Sequence, residues 1–141
     1  MTWLKWIAAM VTGLVLGSLV NMALIKLNGL LIALPAGVDM TTAEGIRAAL
    51  PLLQPVHFLL PFLAHALGTL VGAFCAAWLA SQYKAWAAAA IGLLFFCGGV
   101  MAARLIPAPF WFIAADLLVA YLPMAWLGYR LARRKSSQQA G

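Results

Sequence analysis

Four stretches of about twenty mostly apolar residues, Leu4–Leu27, Phe58–Ser81, Ala85–Leu105 and Phe110–Tyr129, occupy most of this 141-residue chain. Each is long enough to cross the roughly 30 Å hydrocarbon core of a bilayer as an α-helix. Lipid offers no partners to backbone polar groups, so segments of this length must satisfy their own hydrogen bonds as helices. Only 9% of the residues are charged and 66% are hydrophobic. A soluble domain carries roughly 25% charged and 45–50% apolar residues, so the polar surface that would coat a water-soluble globule is missing. The expected fold is all-α: one transmembrane domain, a four-helix bundle, with residues 130–141 as a basic tail. The first apolar run is too long for a signal-peptide core and lacks a small-x-small cleavage site, so it reads as a span.

The connectors differ in length. Residues around Gln82–Lys84 join spans two and three, and Ile106–Pro109 joins spans three and four, where Pro107 and Pro109 enforce a break. Short connections make antiparallel neighbours. The first connector, Asn28–His57, is long. Thr41 and Glu44 in it have capping-box spacing, which predicts a short interfacial helix over about Thr42–Leu50 ending at Pro51. Long loops either cover functional sites or rest as spacers on the headgroups.

Basic residues orient the spans. Lys5, Lys84, Arg130, Arg133, Arg134 and Lys135 fall at one set of span ends, and Lys26, Arg47 and Arg104 at the other, together with Asp39 and Glu44. The positive-inside rule then puts both termini in the cytoplasm. Trp3, Trp6, Trp78, Tyr83, Trp86, Trp126 and Tyr129 form an aromatic belt at the same ends. The net charge of +6 is concentrated in the tail. That placement indicates topology or contact with anionic lipid rather than nucleic-acid binding. The expected partners are the lipid bilayer and either further copies of the chain or a membrane protein.

Small residues recur at helical spacing. Span one has Gly13 and Gly17 with Asn21 one turn on; span two has Ala64, Gly68, Gly72 and Ala76; span three has Gly92, Gly99 and Ala103. Such stripes let membrane helices approach closely, within one chain or between copies. Pro61 and Pro123 lie within spans two and four, where each predicts a kink. Cys75 and Cys97 fall in different spans at depths offset by roughly 8 Å, which predicts free thiols.

Three polar residues fall inside apolar segments: Asn21, His65 and Asp116. At 1.5 Å per residue each lies roughly 9–11 Å below the outer end of its span, so three helices place polar groups in one layer. An ionisable group at this depth marks a candidate site, because leaving it unpaired in lipid is costly. Histidine changes charge near neutral pH, so His65 beside Asp116 makes a plausible proton relay. Arg104 at the end of span three is placed to fold down to Asp116 or to reach out to headgroups. Tyr121 extends the polar path. The alternative is a structural clasp, Asp116 with Arg104 or His65 and Asn21 bridging. His57 reads as an interfacial residue.

The sequence lacks a phosphate-binding glycine loop, zinc-ligand spacing and a second bundle carboxylate, so no catalytic group, metal or cofactor is expected. Gly17 through Asn21-Met22, Pro35–Asp39, His57-Phe58, Ala64–Leu70 and Asp116 through Met124 resemble a family of small, uncharacterised bacterial membrane proteins. The resemblance covers nearly the whole chain. It implies a four-helix protein of the bacterial inner membrane and carries no catalytic assignment. Transport or channel-like handling of a small solute or proton is the expected function. A non-catalytic assembly subunit is the alternative, and an enzyme acting on a lipophilic substrate comes third.

Overall fold

The computed structural model describes residues 2–106 and 108–138. Its helices are α1 (Thr2–Leu31), α2 (Ala43–Ala49), α3 (Leu59–Leu79), α4 (Lys84–Leu105), α5 (Phe110–Val119) and α6 (Leu122–Gln138). Among the described residues there is no strand. Helices α1, α3 and α4, together with the α5–α6 pair, are long and apolar enough to cross a membrane. The fold is therefore an all-α, multi-pass bundle.

Helix α3 is central. Its buried residues are all small: Ala64, Ala66, Gly68, Thr69, Gly72, Ala73, Ala76 and Ala77. They let α1, α4 and α6 all pack against it. The closest approach is to α1. A Cβ built on Gly13 would lie 2.5 Å from the Gly72 carbonyl, and one on Gly17 would lie 2.6 Å from that of Gly68. Either distance is well inside contact, so these backbones touch because side chains are absent. In lipid, dispersion between close backbones replaces the missing hydrophobic drive. The expected Gly13, Gly17, Gly68 and Gly72 stripes are therefore used within the chain. Gly92 likewise abuts Ala125 of α6.

Helix α1 leans on α3 and scarcely touches α4. That side of the bundle stays open along Leu14, Ser18, Leu94 and Gly98, all exposed.

Several boundaries differ from the sequence expectations. Helix α1 runs a turn further, to Leu31. The basic segment expected as a tail continues α6 as helix to Gln138; residues 139–141, like Pro107, lie outside the described residues. Arg130 and Arg133 lie over the rings of Trp126 and Tyr129, one turn earlier on the same helix.

The prolines also act differently from expectation. Pro61 sits in the first turn of α3, where a missing amide costs no helical hydrogen bond, so it makes no mid-helix kink. Pro123 does break its span. It cannot donate to the Val119 carbonyl, and α5 ends there, with a turn at Ala120–Tyr121 before α6.

In the long connector the helix cap is Thr42 rather than Thr41. Thr42 Oγ1 accepts the Gly45 amide at 3.0 Å. Thr41 instead donates its amide and hydroxyl to Asp39, at 2.8 and 2.6 Å. The helix does not end cleanly at Pro51, because a 3-10 turn over Leu50–Leu52 follows it.

Candidate functional site: the His65–Asp116 pair and two cavities

Asp116 is buried on α5 and faces α3. His65 Nδ1–H donates to both its carboxylate oxygens, at 2.8 and 3.0 Å. The Tyr121 hydroxyl donates to Oδ2 at 2.9 Å. These are charge-assisted bonds, and two donors compensate a carboxylate that lipid could not solvate. Helix α3 carries His65 rigidly, with Thr69 Oγ1 donating to the His65 carbonyl at 2.8 Å one turn on. The Tyr121 ring lies nearly parallel to the imidazole, centroids 5.8 Å apart. Phe96 meets the same tyrosine edge-on at 6.0 Å.

This arrangement selects a tautomer. With Nδ1 carrying the proton toward Asp116, the neutral ring has its lone pair on Nε2. No protein group among the described residues bonds Nε2. The His65 side chain is 21% exposed, against 7% for Asp116. The carboxylate is therefore the occupied member of the pair and the imidazole the open one.

Two cavities meet at this pair. The larger, about 340 Å³, lies in the cleft between α1 and α4; Ser18, Asn21, His65, Phe95 and Tyr121 are among its lining residues. The smaller, about 160 Å³, lies among α3, α4 and α5 and reaches the α4–α5 connector at Ile106 and Ala108. His65, Gly99 and Ala102 line both, and Asp116 lines the smaller.

Of the residues expected to form one polar layer, the structure brings together His65, Asp116 and Tyr121 by hydrogen bonds. Asn21 shares the larger cavity with His65 and Tyr121 but forms no bridge between His65 and Asp116. Arg104 is exposed and takes no part in binding Asp116. Its place at the end of α4 leaves it outside the bundle, while Tyr121 fills the position beside the carboxylate. Gly99 supplies the room: a Cβ there would collide with the Tyr121 hydroxyl and ring.

His57 is buried within the protein. Its Nδ1 accepts the Gln54 amide at 3.0 Å, and its Nε2–H donates to the Ala33 carbonyl at 3.2 Å. Both bonds are to backbone, and they tie the end of the long connector to its beginning. Phe58, next in sequence, packs against Trp111 and Phe112 at the start of α5.

Sequence reasoning gave Ser18 and Phe95 no place in the site and read Arg47 only as an orienting charge. Ser18 and Phe95 line the larger cavity. Ser18 carries a legible signal, lying three residues before Asn21 on the same helix face. Phe95 carries none, because an aromatic in an apolar span is ordinary. Arg47 donates through Nε and Nη2, at 2.9 and 2.5 Å, to the Leu105 carbonyl at the end of α4. It thereby caps that helix from the connector. Gly128, which abuts the Leu70 carbonyl at 2.7 Å from a built Cβ, is a further packing glycine. Its four-residue spacing to Ala132 is the signal used for the other stripes.

No family model, curated protein or solved structure matches the chain.

Proposed function

We propose that the chain is a small multi-pass transport protein. It moves a small solute or a proton through the His65–Asp116 site, with both termini on the cytoplasmic face of a bacterial inner membrane. One observation carries the reading: His65, oriented by Asp116, lines two cavities. A structural clasp requires the hydrogen bonds and has no use for the space around them. A proton carrier requires both, since the imidazole must exchange its proton with something that reaches it. The smaller cavity leads toward the α4–α5 connector, and the larger opens within the depth of the spans.

Asp116 has a defined part in this scheme. It holds the ring in the tautomer that leaves Nε2 free to take a proton. Orientation follows from Lys5, Lys84, Arg130, Arg133 and Arg134 at the end that holds the termini.

The test uses protein reconstituted in liposomes enclosing a pH-sensitive dye, with a pH step applied outside. Wild-type protein is expected to collapse the gradient faster than empty liposomes. Asp116→Asn is expected to insert normally and to run at the empty-liposome rate. Asp116→Asn running at the wild-type rate would overturn the reading, as would a wild type no faster than empty liposomes.

A further inference from the structure

The larger cavity has a composition that selects among ligands. It is bounded on α1 by Leu14, Ser18 and Asn21, spaced one turn apart on one face, and on α4 by a face running from Leu94 to Ala102. Among the described residues no lysine or arginine lines it, so its wall holds no permanent positive charge to balance an anion. The neighbouring carboxylate, Asp116, lines the other cavity and is engaged by His65 and Tyr121. A hard cation would need several free oxygens and would not find them here. His65 lines this wall, and with Nδ1 bonded to Asp116 its second ring nitrogen, Nε2, is the one left to accept; the Asn21 amide and Ser18 hydroxyl line the same wall, with apolar surface elsewhere.

The position of the cleft points the same way. Leu14 and Leu94, on its two rims, are 39% and 51% exposed. Both lie mid-span on helices long and apolar enough to cross the bilayer, so the mouth faces hydrocarbon rather than water. A ligand using this entrance is itself soluble in lipid. To satisfy His65 Nε2 it carries a hydrogen-bond donor.

We propose that the α1–α4 cleft binds a neutral, hydroxyl-bearing lipophile that enters sideways from the bilayer. Its hydroxyl donates to His65 Nε2, and its apolar body lies along Leu14, Leu94 and Phe95. The inference rests on His65 being the working group of the chain, and it names the class of molecule that reaches it.

Gly98 allows a clean test. It lines the cleft, and a Cβ built on it meets nothing within 4 Å. Gly98→Leu therefore adds bulk to the cleft from a position where the first side-chain atom meets no neighbour. The probe is a para-dodecylphenol bearing a diazirine, compared with its methyl ether, on the full chain in phosphatidylcholine nanodiscs. Cross-linked positions are read by mass spectrometry. The phenol is expected to label residues 14–21 and 94–102, and the ether about tenfold less, the effect of one lost hydrogen bond to a strong acceptor. Gly98→Leu and His65→Phe are each expected to lose the phenol-selective labelling. Equal labelling by phenol and ether would overturn the inference, as would phenol labelling that survives Gly98→Leu. Selective labelling by a wild type that moves no protons upholds the inference and overturns the transport reading. Proton flux that depends on Asp116, without phenol-selective labelling, leaves the transport reading standing and overturns this inference.

Discussion

The ring and hydroxyl of Tyr121 occupy the space that a side chain on Gly99 would fill, and from there the hydroxyl reaches Asp116. The missing methyl on α4 thus supports a hydrogen bond between α5 and the turn that follows it. Gly99→Ala is expected to push Tyr121 away from the carboxylate at a cost of about 1–3 kcal/mol, as is usual for overpacking. Thermal unfolding in detergent measures it. In a Tyr121→Leu background the same substitution should cost much less, because the ring it meets is gone.

The α1–α3 contact depends on four glycines. Gly17→Leu or Gly68→Leu places a side chain where the partner backbone lies, and α1 must move off α3. We expect a loss of about 1–3 kcal/mol or more for each. Gly29→Ala is the control: a Cβ there meets nothing within 4 Å, and the helix gains the usual alanine advantage of up to about 1 kcal/mol. Denaturant unfolding in mixed micelles separates the two outcomes.

Asp116 sets the tautomer of His65, so its amide should reverse it. In Asp116→Asn the new amide can donate to Nδ1, which makes Nδ1 the acceptor and moves the ring proton to Nε2. The imidazole then presents a donor to the cleft instead of a lone pair. Nitrogen NMR of histidine-labelled protein reports which ring nitrogen is protonated. Wild type is expected to show the proton on Nδ1 and the variant on Nε2.

Arg47 closes the open end of α4 by donating to the Leu105 carbonyl. Arg47→Ala leaves that carbonyl to solvent, at an expected cost of about 0.5–1.5 kcal/mol, since the side chain is exposed. Hydrogen exchange should show the last turn of α4 opening more often, with the middle of the helix unchanged.

Asp39 provides a pH-dependent local element. The Thr41 hydroxyl, with the Thr41 amide, holds its carboxyl below the usual carboxylate range. The folded value is the lower one. Its contribution is therefore complete above the ordinary carboxylate pKa of about 3.9 and is lost as pH falls through the lowered value. Thr41→Ala removes the larger cause. Carbon NMR of the Asp39 carboxyl is expected to show its titration moving up toward the ordinary value.

How much of this could be read in advance depends on what each feature rests on. That His65 and Asp116 would be neighbours, with Asn21 close to them, was legible because helix rise is constant; the structure bonds His65 to Asp116 and puts Asn21 on one cavity with His65. The glycine stripes of α1 and α3 were legible because helical spacing brings small residues onto one face. Tyr121 shows the limit. In an uninterrupted helix it would lie roughly 140° around the axis from Asp116 and could not bond it. The turn at Ala120–Tyr121 brings it back. Pro123 announced a disturbance there, but not the direction in which the chain would turn. Arg104 failed for a related reason: its length reaches Asp116 on paper, while its position on α4 turns it outward.

By itself, the sequence determined an all-α chain with four segments able to cross a membrane, because apolar length and backbone self-sufficiency leave lipid-embedded residues no other regular structure. It also singled out Asn21, His65 and Asp116 as polar groups inside those segments. The tertiary structure decided which of them touch, that Asp116 is occupied and His65 open, and that the bundle is left unclosed between α1 and α4. Those outcomes depend on the rotation of each helix and on its choice of neighbour. Both are set by close packing of small residues across the chain, which spacing along it does not encode.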